Sequence, residues 1–124
     1  MISTRLRVLL LLLIPMICSA ASVERRVRAQ QPGSAWSVRV PDGPLVFTGA
    51  VTAPASGDAA AEPAAALAEL DAVVRSAGGD AAGIVRVNAF VADDADVPAV
   101  QAAMARRFAS APVAFTLVRS PLAT

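Results

Sequence analysis

The chain contains no lysine, no histidine and no tyrosine, and all eleven of its basic residues are arginine. These absences remove most of the side chains that proteins use as general bases, metal ligands or amine nucleophiles. Few enzymatic chemistries therefore remain open, and we predict no metal site, no cofactor and no catalytic residue. Aromatic residues make up only 4% of the chain, so the core is built mainly from aliphatic side chains.

Cysteine is almost as scarce, because Cys18 is the single one in the sequence. It lies in the apolar N-terminal region, so the rest of the chain has no thiol for disulfides, metal binding or covalent catalysis. With 124 residues the chain is long enough for one domain and too short for two domains with proper cores. Folding must therefore rely on the packing of a single core.

The charge is close to balanced, with a formal value of +1. Two of the arginines, Arg5 and Arg7, precede the apolar region, and without them nine arginines face ten carboxylates. A protein that binds nucleic acid normally carries a basic patch or stripe. We therefore expect no nucleic-acid partner.

The N-terminus has the three parts of a secretory signal. Residues 1–7 hold two arginines and no acid, residues 8–17 form an apolar run, and residues 18–21 are small or short. We predict a signal peptide over 1–21, export to the periplasm or beyond the cell, and membrane contact only through this leader. A permanent anchor is disfavoured because the run is shorter than the roughly 20 residues of a spanning helix. Lipidation at Cys18 is disfavoured by the bulky Ile17 before it.

The residues that follow the leader, 22–33, are polar and rich in arginine and show no apolar period. This composition predicts a flexible linker, with the folded domain over 34–124. The first elements of that domain are two strands, 36–40 and 45–51, and Asp42-Gly43 between them predicts a hairpin turn. Trp36 is expected to be a packing residue of this hairpin.

Two amphipathic helices follow. The first spans 60–77 with Asp58 as its cap, Pro63 in its first turn and Gly78-Gly79 at its end. The second begins after an aspartate cluster that caps free amides, and its apolar stripe consists of Val97, Val100, Met104 and Phe108. A calcium site at these aspartates is disfavoured, because no glycine-containing loop with a distant bidentate acid follows them.

Strands 84–91 and 113–119 complete the pattern, which runs strand, strand, helix, strand, helix, strand. In the first of them Val85, Val87, Ala89 and Val91 are expected to face the core. A mixed order of this kind predicts an α+β fold with one sheet and both helices packed on one face.

Four segments, in order and with matching spacing, carry a family resemblance: 45–49 (LVFTG), 68–78, 84–93 (IVRVNAFVAD) and 108–116. Together they resemble the Rid (reactive intermediate deaminase, YjgF-like) family. The resemblance implies a chorismate-mutase-like α+β fold, a homotrimer and small-molecule clefts between subunits. In active members an arginine at the start of the penultimate strand binds the carboxylate of an imine or enamine acid, which water hydrolyses to a keto acid and ammonia.

The sequence departs from this family pattern at the key position, because Ala114 stands where the arginine is expected. By resemblance the ligand cleft is lined by Thr48, Gly49, Gln101, Ala114, Phe115 and Thr116. The family also continues into one more strand, which bears a ligand-contacting glutamate and which this sequence lacks. We therefore expect one sheet edge without its neighbour.

These observations favour an exported, Rid-like protein that binds a small molecule without catalysis. One alternative is an active enamine or imine deaminase with a displaced catalytic group. Another is a structural or interaction module, or a decayed relative with no retained activity. Ribonuclease activity is disfavoured, because the sequence offers neither histidine nor a basic groove.

Overall fold

A computed structural model describes residues 23–54 and 56–121. The predicted signal peptide, residues 1–21, lies outside this part of the chain. Within it, none of the helices combines the length and the hydropathy that crossing a bilayer demands. The elements are β1 (Glu24–Val27), β2 (Ser34–Arg39), α1 (Glu62–Ser76), β3 (Arg86–Val91), α2 (Val97–Arg107) and β4 (Val113–Arg119). Single 3₁₀ turns at Ala81–Gly83 and Asp94–Asp96 precede β3 and α2.

The four strands form one mixed sheet in the order β1-β2-β4-β3. Strands β1 and β2 are antiparallel, whereas β4 runs parallel to both β2 and β3. A parallel pair needs a crossover, and α1 and α2 supply these connections. The predicted α+β architecture with one sheet and two helices is confirmed.

The core lies between the helices and one face of the sheet. Its buried members are Ile84, Met104, Phe108 and Val113, and Leu67, Leu70 and Val74 of α1 pack against them. The apolar stripe predicted for the second helix is thus confirmed at its most buried positions. The packing role predicted for Trp36 is wrong, because 65% of this residue is exposed.

The predicted helix boundaries hold to within two residues. Pro63 occupies the first turn of α1, where no backbone donor is lost. Gly78 adopts a φ of 81° after the last turn, and its amide donates to the Arg75 carbonyl. Asp93 accepts a hydrogen bond from the Ala95 amide ahead of α2. Asp58 bonds instead to the Ala60 amide and so stabilises the turn before α1 rather than capping the helix.

The N-terminal part of the predicted linker is a strand. β1 pairs with β2, and the Arg25 guanidinium donates to the carbonyls of Pro112, Ala82 and Ile84, at 2.8, 3.2 and 3.4 Å. These acceptors lie 57 to 87 residues away in sequence, so no local pattern revealed them. The expectation of a flexible segment is therefore wrong for Glu24–Val27.

The second predicted strand, 45–51, does not join the sheet. β2 pairs with β1 along one edge, and its other edge pairs with β4 only at Ser34 and Ala35. Pro41 and Pro44 flank the Asp42-Gly43 bend, and a proline has no N–H with which to continue a ladder. The segment is extended and open to solvent, with Phe47 89% exposed. The predicted hairpin is replaced by the β1–β2 hairpin.

One ion pair ties the two helices together. Arg107 of α2 donates to both carboxylate oxygens of Asp71 of α1, from Nε at 2.9 Å and from Nη2 at 2.6 Å. This hydrogen bonding raises the pKa of Arg107, against the opposing effect of partial burial. The guanidinium also lies over the Phe108 ring at 5.0 Å. The pair therefore holds α1 and α2 at the edge of the core.

Candidate functional site

The face of the sheet that turns away from the helices carries the position where the family resemblance expects arginine. Val113 and Phe115 of β4 pack into the core, and side chains alternate along a strand, so Ala114 and Thr116 face the other side. On the same open face, Asn88 of β3 lies beside Thr116. The open face is defined here as Arg86, Asn88, Phe90, Ala114, Thr116 and Val118.

Arg86 is the direct neighbour of Ala114 across the parallel β3–β4 pair. Side chains opposite each other in such a pair lie on one face, so the guanidinium and the Ala114 methyl group share the open surface. Arg86 is exposed, and its Nε donates to Asn88 Oδ1 at 3.3 Å. Among the described residues no carboxylate pairs with it. A cation is therefore present one strand away from the position where the family places it.

Two other arginines near β4 are committed elsewhere. The Arg25 guanidinium donates its hydrogen bonds to backbone carbonyls just before β3 and β4, including that of Pro112. Arg119, at the end of β4, pairs with Asp94 at 3.0 Å. Of these three arginines, Arg86 is the one on the open face, and its guanidinium makes no ion pair within the described residues.

The six residues predicted to line a cleft do not converge within one chain. Ala114 and Thr116 share the open face, but Phe115 packs against the core on the opposite side. Thr48 and Gly49 lie in the exposed segment outside the sheet, and Gln101 is exposed on α2. The resemblance implies a cleft between subunits, and within a single chain these six residues do not form one.

A second concave region has Gln101 in its wall. It is an open cleft of about 940 Å³ between the β1–β2 turn and α2, and its lining consists of residues 27–32, Trp36, Gln101, Ala102 and Ala105. Its charged member is Arg28, whose guanidinium carbon lies 3.8 Å from the centroid of the Trp36 ring. Sequence reasoning missed Arg28 because it was assigned to the linker. Pro32-Gly33 is a turn signal that could have revealed the hairpin.

Metal chemistry has little basis in the described part of the chain. No group of three or more acidic, cysteine or histidine side chains comes together there. Of the three aspartates considered for calcium, Asp93, Asp94 and Asp96, the first accepts from the Ala95 amide and the second from Arg119. Both contacts are structural.

Known proteins share this fold. The sequence profile of the family described as Endoribonuclease L-PSP matches residues 27–120. Rv2704 of Mycobacterium tuberculosis, a YjgF-family member, is 24% identical with a TM-score of 0.60, over 82% of this chain and 87% of that one. YyfB of Yersinia pestis, from the conserved Rid family, is 26% identical with a TM-score of 0.62, over 74% and 77%. NMB1025 of Neisseria meningitidis, also a YjgF-family protein, is 18% identical with a TM-score of 0.59, over 85% and 86%. No curated protein matches the sequence.

Proposed function

We propose that this chain, which belongs to the YjgF/Rid family described as Endoribonuclease L-PSP, binds a small molecule on its open sheet face without hydrolysing it. The observation that carries the proposal is the half-buried Ala114 on that face. A guanidinium at this position would grip a carboxylate through two parallel hydrogen bonds, and a methyl group offers only contact area. Ala114 itself is therefore suited to contact an apolar or weakly polar part of a ligand.

The proposal includes the assembly of a homotrimer in which a neighbouring subunit covers the open face. Phe90 and Val118 lie side by side on that face, and 57% and 38% of these residues are exposed in the single chain. Exposed apolar side chains in contact with each other favour burial against a partner. Such a partner would also bring a second set of side chains towards Ala114 and Thr116. Light scattering coupled to size exclusion measures the mass and tests the trimer.

The proposal also includes export through the leader at residues 1–21. Support comes from the arginines, the apolar run and the small residues of that segment. A fusion of the full sequence to a periplasmic reporter, compared with one lacking residues 1–21, tests this part. Equal activity of both fusions in the cytoplasm and none outside would contradict it.

One alternative has a specific observation in its favour. Arg86 places a cation beside Ala114, so an active deaminase could bind a substrate carboxylate from β3 instead of β4. Hydrolysis of RNA, the activity named in the family's description, has no comparable support. The chain contains no histidine or lysine, and its charge is close to balanced.

The deciding experiment measures ammonia release from freshly generated 2-aminoacrylate. Four proteins are compared: the wild type, Ala114→Arg, Arg86→Gln and the double variant. We expect a silent wild type and turnover in Ala114→Arg, because the substitution restores a cation that can bind the substrate carboxylate. The Arg86→Gln variant should be as silent as the wild type.

Turnover by the wild type that disappears in Arg86→Gln would overturn the proposal in favour of the displaced-cation deaminase. Silence of all four proteins, each folded by circular dichroism, would instead show that the surface around Ala114 no longer forms a family-type cleft. That result would favour the interaction module.

A further inference from the structure

The cleft between the β1–β2 turn and α2 is separate from the open sheet face and has no part in the proposed function. One wall is the turn over residues 28–33, and the other wall is α2, which packs on the opposite side of the sheet from Ala114. Its centre is the stacked pair of Arg28 and Trp36. This pair has a geometry that calls for an explanation beyond folding.

The cleft is built on a rigid turn. Backbone hydrogen bonds link Arg28, Gln31 and Ser34 to one another at 3.0 to 3.2 Å. Gly33 has a φ of 76°, and a Cβ there would lie 2.5 Å from the Met104 carbonyl oxygen, so the turn sits directly against α2. A turn held in this way keeps its side chains in place without a ligand, which lowers the entropic cost of binding.

The Arg28 guanidinium has fewer hydrogen-bond acceptors around it than its N–H donors could use. Within the described residues, its guanidinium donates one hydrogen bond, from Nη1 to Gln31 Oε1 at 2.9 Å. Its Nε is buried with no partner in that part of the chain. None of the residues that line the cleft is acidic. A guanidinium has five N–H donors, and the Nη donors of Arg28 that make no hydrogen bond in this part of the chain can bind an added acceptor in the cleft.

The remaining lining defines the ligand. The amides of Gln31 and Gln101 supply hydrogen bonds, while the exposed ring of Trp36 and the side chains of Val27 and Ala102 supply apolar surface. One cation without a second basic neighbour in the lining matches one negative charge, since a dianion would keep an uncompensated charge. We propose that this cleft binds a monocarboxylate with a small apolar body, its carboxylate on the Arg28 Nη groups and its body against Trp36.

The protein carries its own reporter for this test. Trp36 is the single tryptophan and tyrosine is absent, so intrinsic emission comes from the cleft itself. The purified protein is titrated with cyclohexanecarboxylate and, separately, with cyclohexanecarboxamide, which has the same shape and no charge. We expect the carboxylate to change Trp36 emission with a Kd below about 1 mM, and the amide to bind at least tenfold more weakly.

Three variants localise the effect. Arg28→Gln should weaken carboxylate binding at least tenfold, whereas Arg26→Gln, which removes a charge two residues earlier, in β1 and outside the cleft lining, should leave Kd within twofold. Arg86→Gln should also leave it unchanged, which separates this site from the one on the open face. Isothermal calorimetry repeats the comparison without relying on fluorescence.

Equal affinity for the carboxylate and the amide would overturn the proposal, and so would equal affinity in Arg28→Gln and Arg26→Gln. If Arg28→Gln lowers the unfolding midpoint by loosening the turn, the ratio of the Kd values for the amide and the carboxylate on the wild-type protein still tests the proposal. Absence of any response to the carboxylate in wild-type protein overturns it as well.

Discussion

The ion pair between α1 and α2 should stabilise the protein measurably, although one partner lies at a helix end near the surface. Asp71 and Arg107 make two charge-assisted hydrogen bonds, and their side chains are 18% and 28% exposed. Such bonds contribute about 1.5–3 kcal/mol when shielded from water, and fully exposed pairs contribute about 0–1 kcal/mol. Intermediate exposure places the coupling at about 1–2 kcal/mol.

The assay is a double-mutant cycle of urea unfolding with Asp71→Asn, Arg107→Gln and the double variant. The cycle is needed because Arg107→Gln also removes the contact with the Phe108 ring. That loss occurs both in the wild type and in the Asp71→Asn variant, so it cancels when the two changes in unfolding free energy are subtracted. A loss of 1 kcal/mol corresponds to a fall in Tm of about 4–8 °C for a domain of this size.

The pH dependence follows from the raised pKa of Arg107. A base whose pKa is higher in the folded state contributes its stability below the unfolded value and loses it only as the pH rises through the folded value. Both values are far above neutral, so the contribution of Arg107 should be constant over roughly pH 6 to 9.

The matched control is the pair of Asp94 and Arg119, which has a similar distance of 3.0 Å but side chains that are 69% and 63% exposed. Its cycle should give a coupling below about 0.5 kcal/mol. A coupling for Asp71 and Arg107 that is no larger than this control would refute the reasoning from burial and bidentate geometry.

Four further substitutions test separate parts of the structure. Phe108→Ala, at a residue only 1% exposed, should cost about 3–5 kcal/mol of unfolding free energy by denaturant titration. Gly33→Ala should cost at least about 2 kcal/mol, because it adds a Cβ against the Met104 carbonyl at a positive φ; a neutral result would contradict the close approach of turn and helix. Asp93→Ala should cost about 1 kcal/mol through loss of its hydrogen bond to the Ala95 amide, visible as a lower Tm. Phe90→Ser should leave the unfolding of the chain almost unchanged but reduce the proposed trimer, measured by light scattering.

The parts of the fold that could be predicted have signals within a few residues. The stripe through Met104 and Phe108 predicted the buried face of α2, and Gly78 predicted the end of α1. Strand β4 was predicted over the same residues that the structure shows, 113–119. Each of these features depends on a short hydrophobic period or on a capping residue, and both can be read directly from the sequence.

The predictions that were wrong depend on partners distant in sequence. Glu24–Val27 has no apolar period, and it is a strand because β2 is available to pair and because Arg25 reaches carbonyls near the start of β3 and β4. The segment 45–51 has good strand composition but pairs with no strand of the sheet. Strand composition favours a pleated, half-buried surface and cannot form one without a neighbour.

The candidate site likewise combines features that the sequence shows locally with features that depend on distant residues. By resemblance, the sequence predicted that Ala114 stands in the place of the family's arginine, and the scarcity of catalytic side chains was evident from composition. That Arg86 lies directly beside Ala114 follows only from the register of the β3–β4 pair. That Arg28 stacks on Trp36 in a cleft follows only from the packing of the β1–β2 turn on α2.

The sequence by itself thus determined the order of the helices, the buried stripe of α2 and the scarcity of the usual catalytic side chains. These properties depend on residue type and on spacings of two to four positions, which a linear chain carries in full. The tertiary structure alone decided which strands pair, which face of the sheet stays open and which arginines remain free to meet a ligand. Pairing and register join residues that are up to 87 positions apart, and no local pattern specifies such contacts.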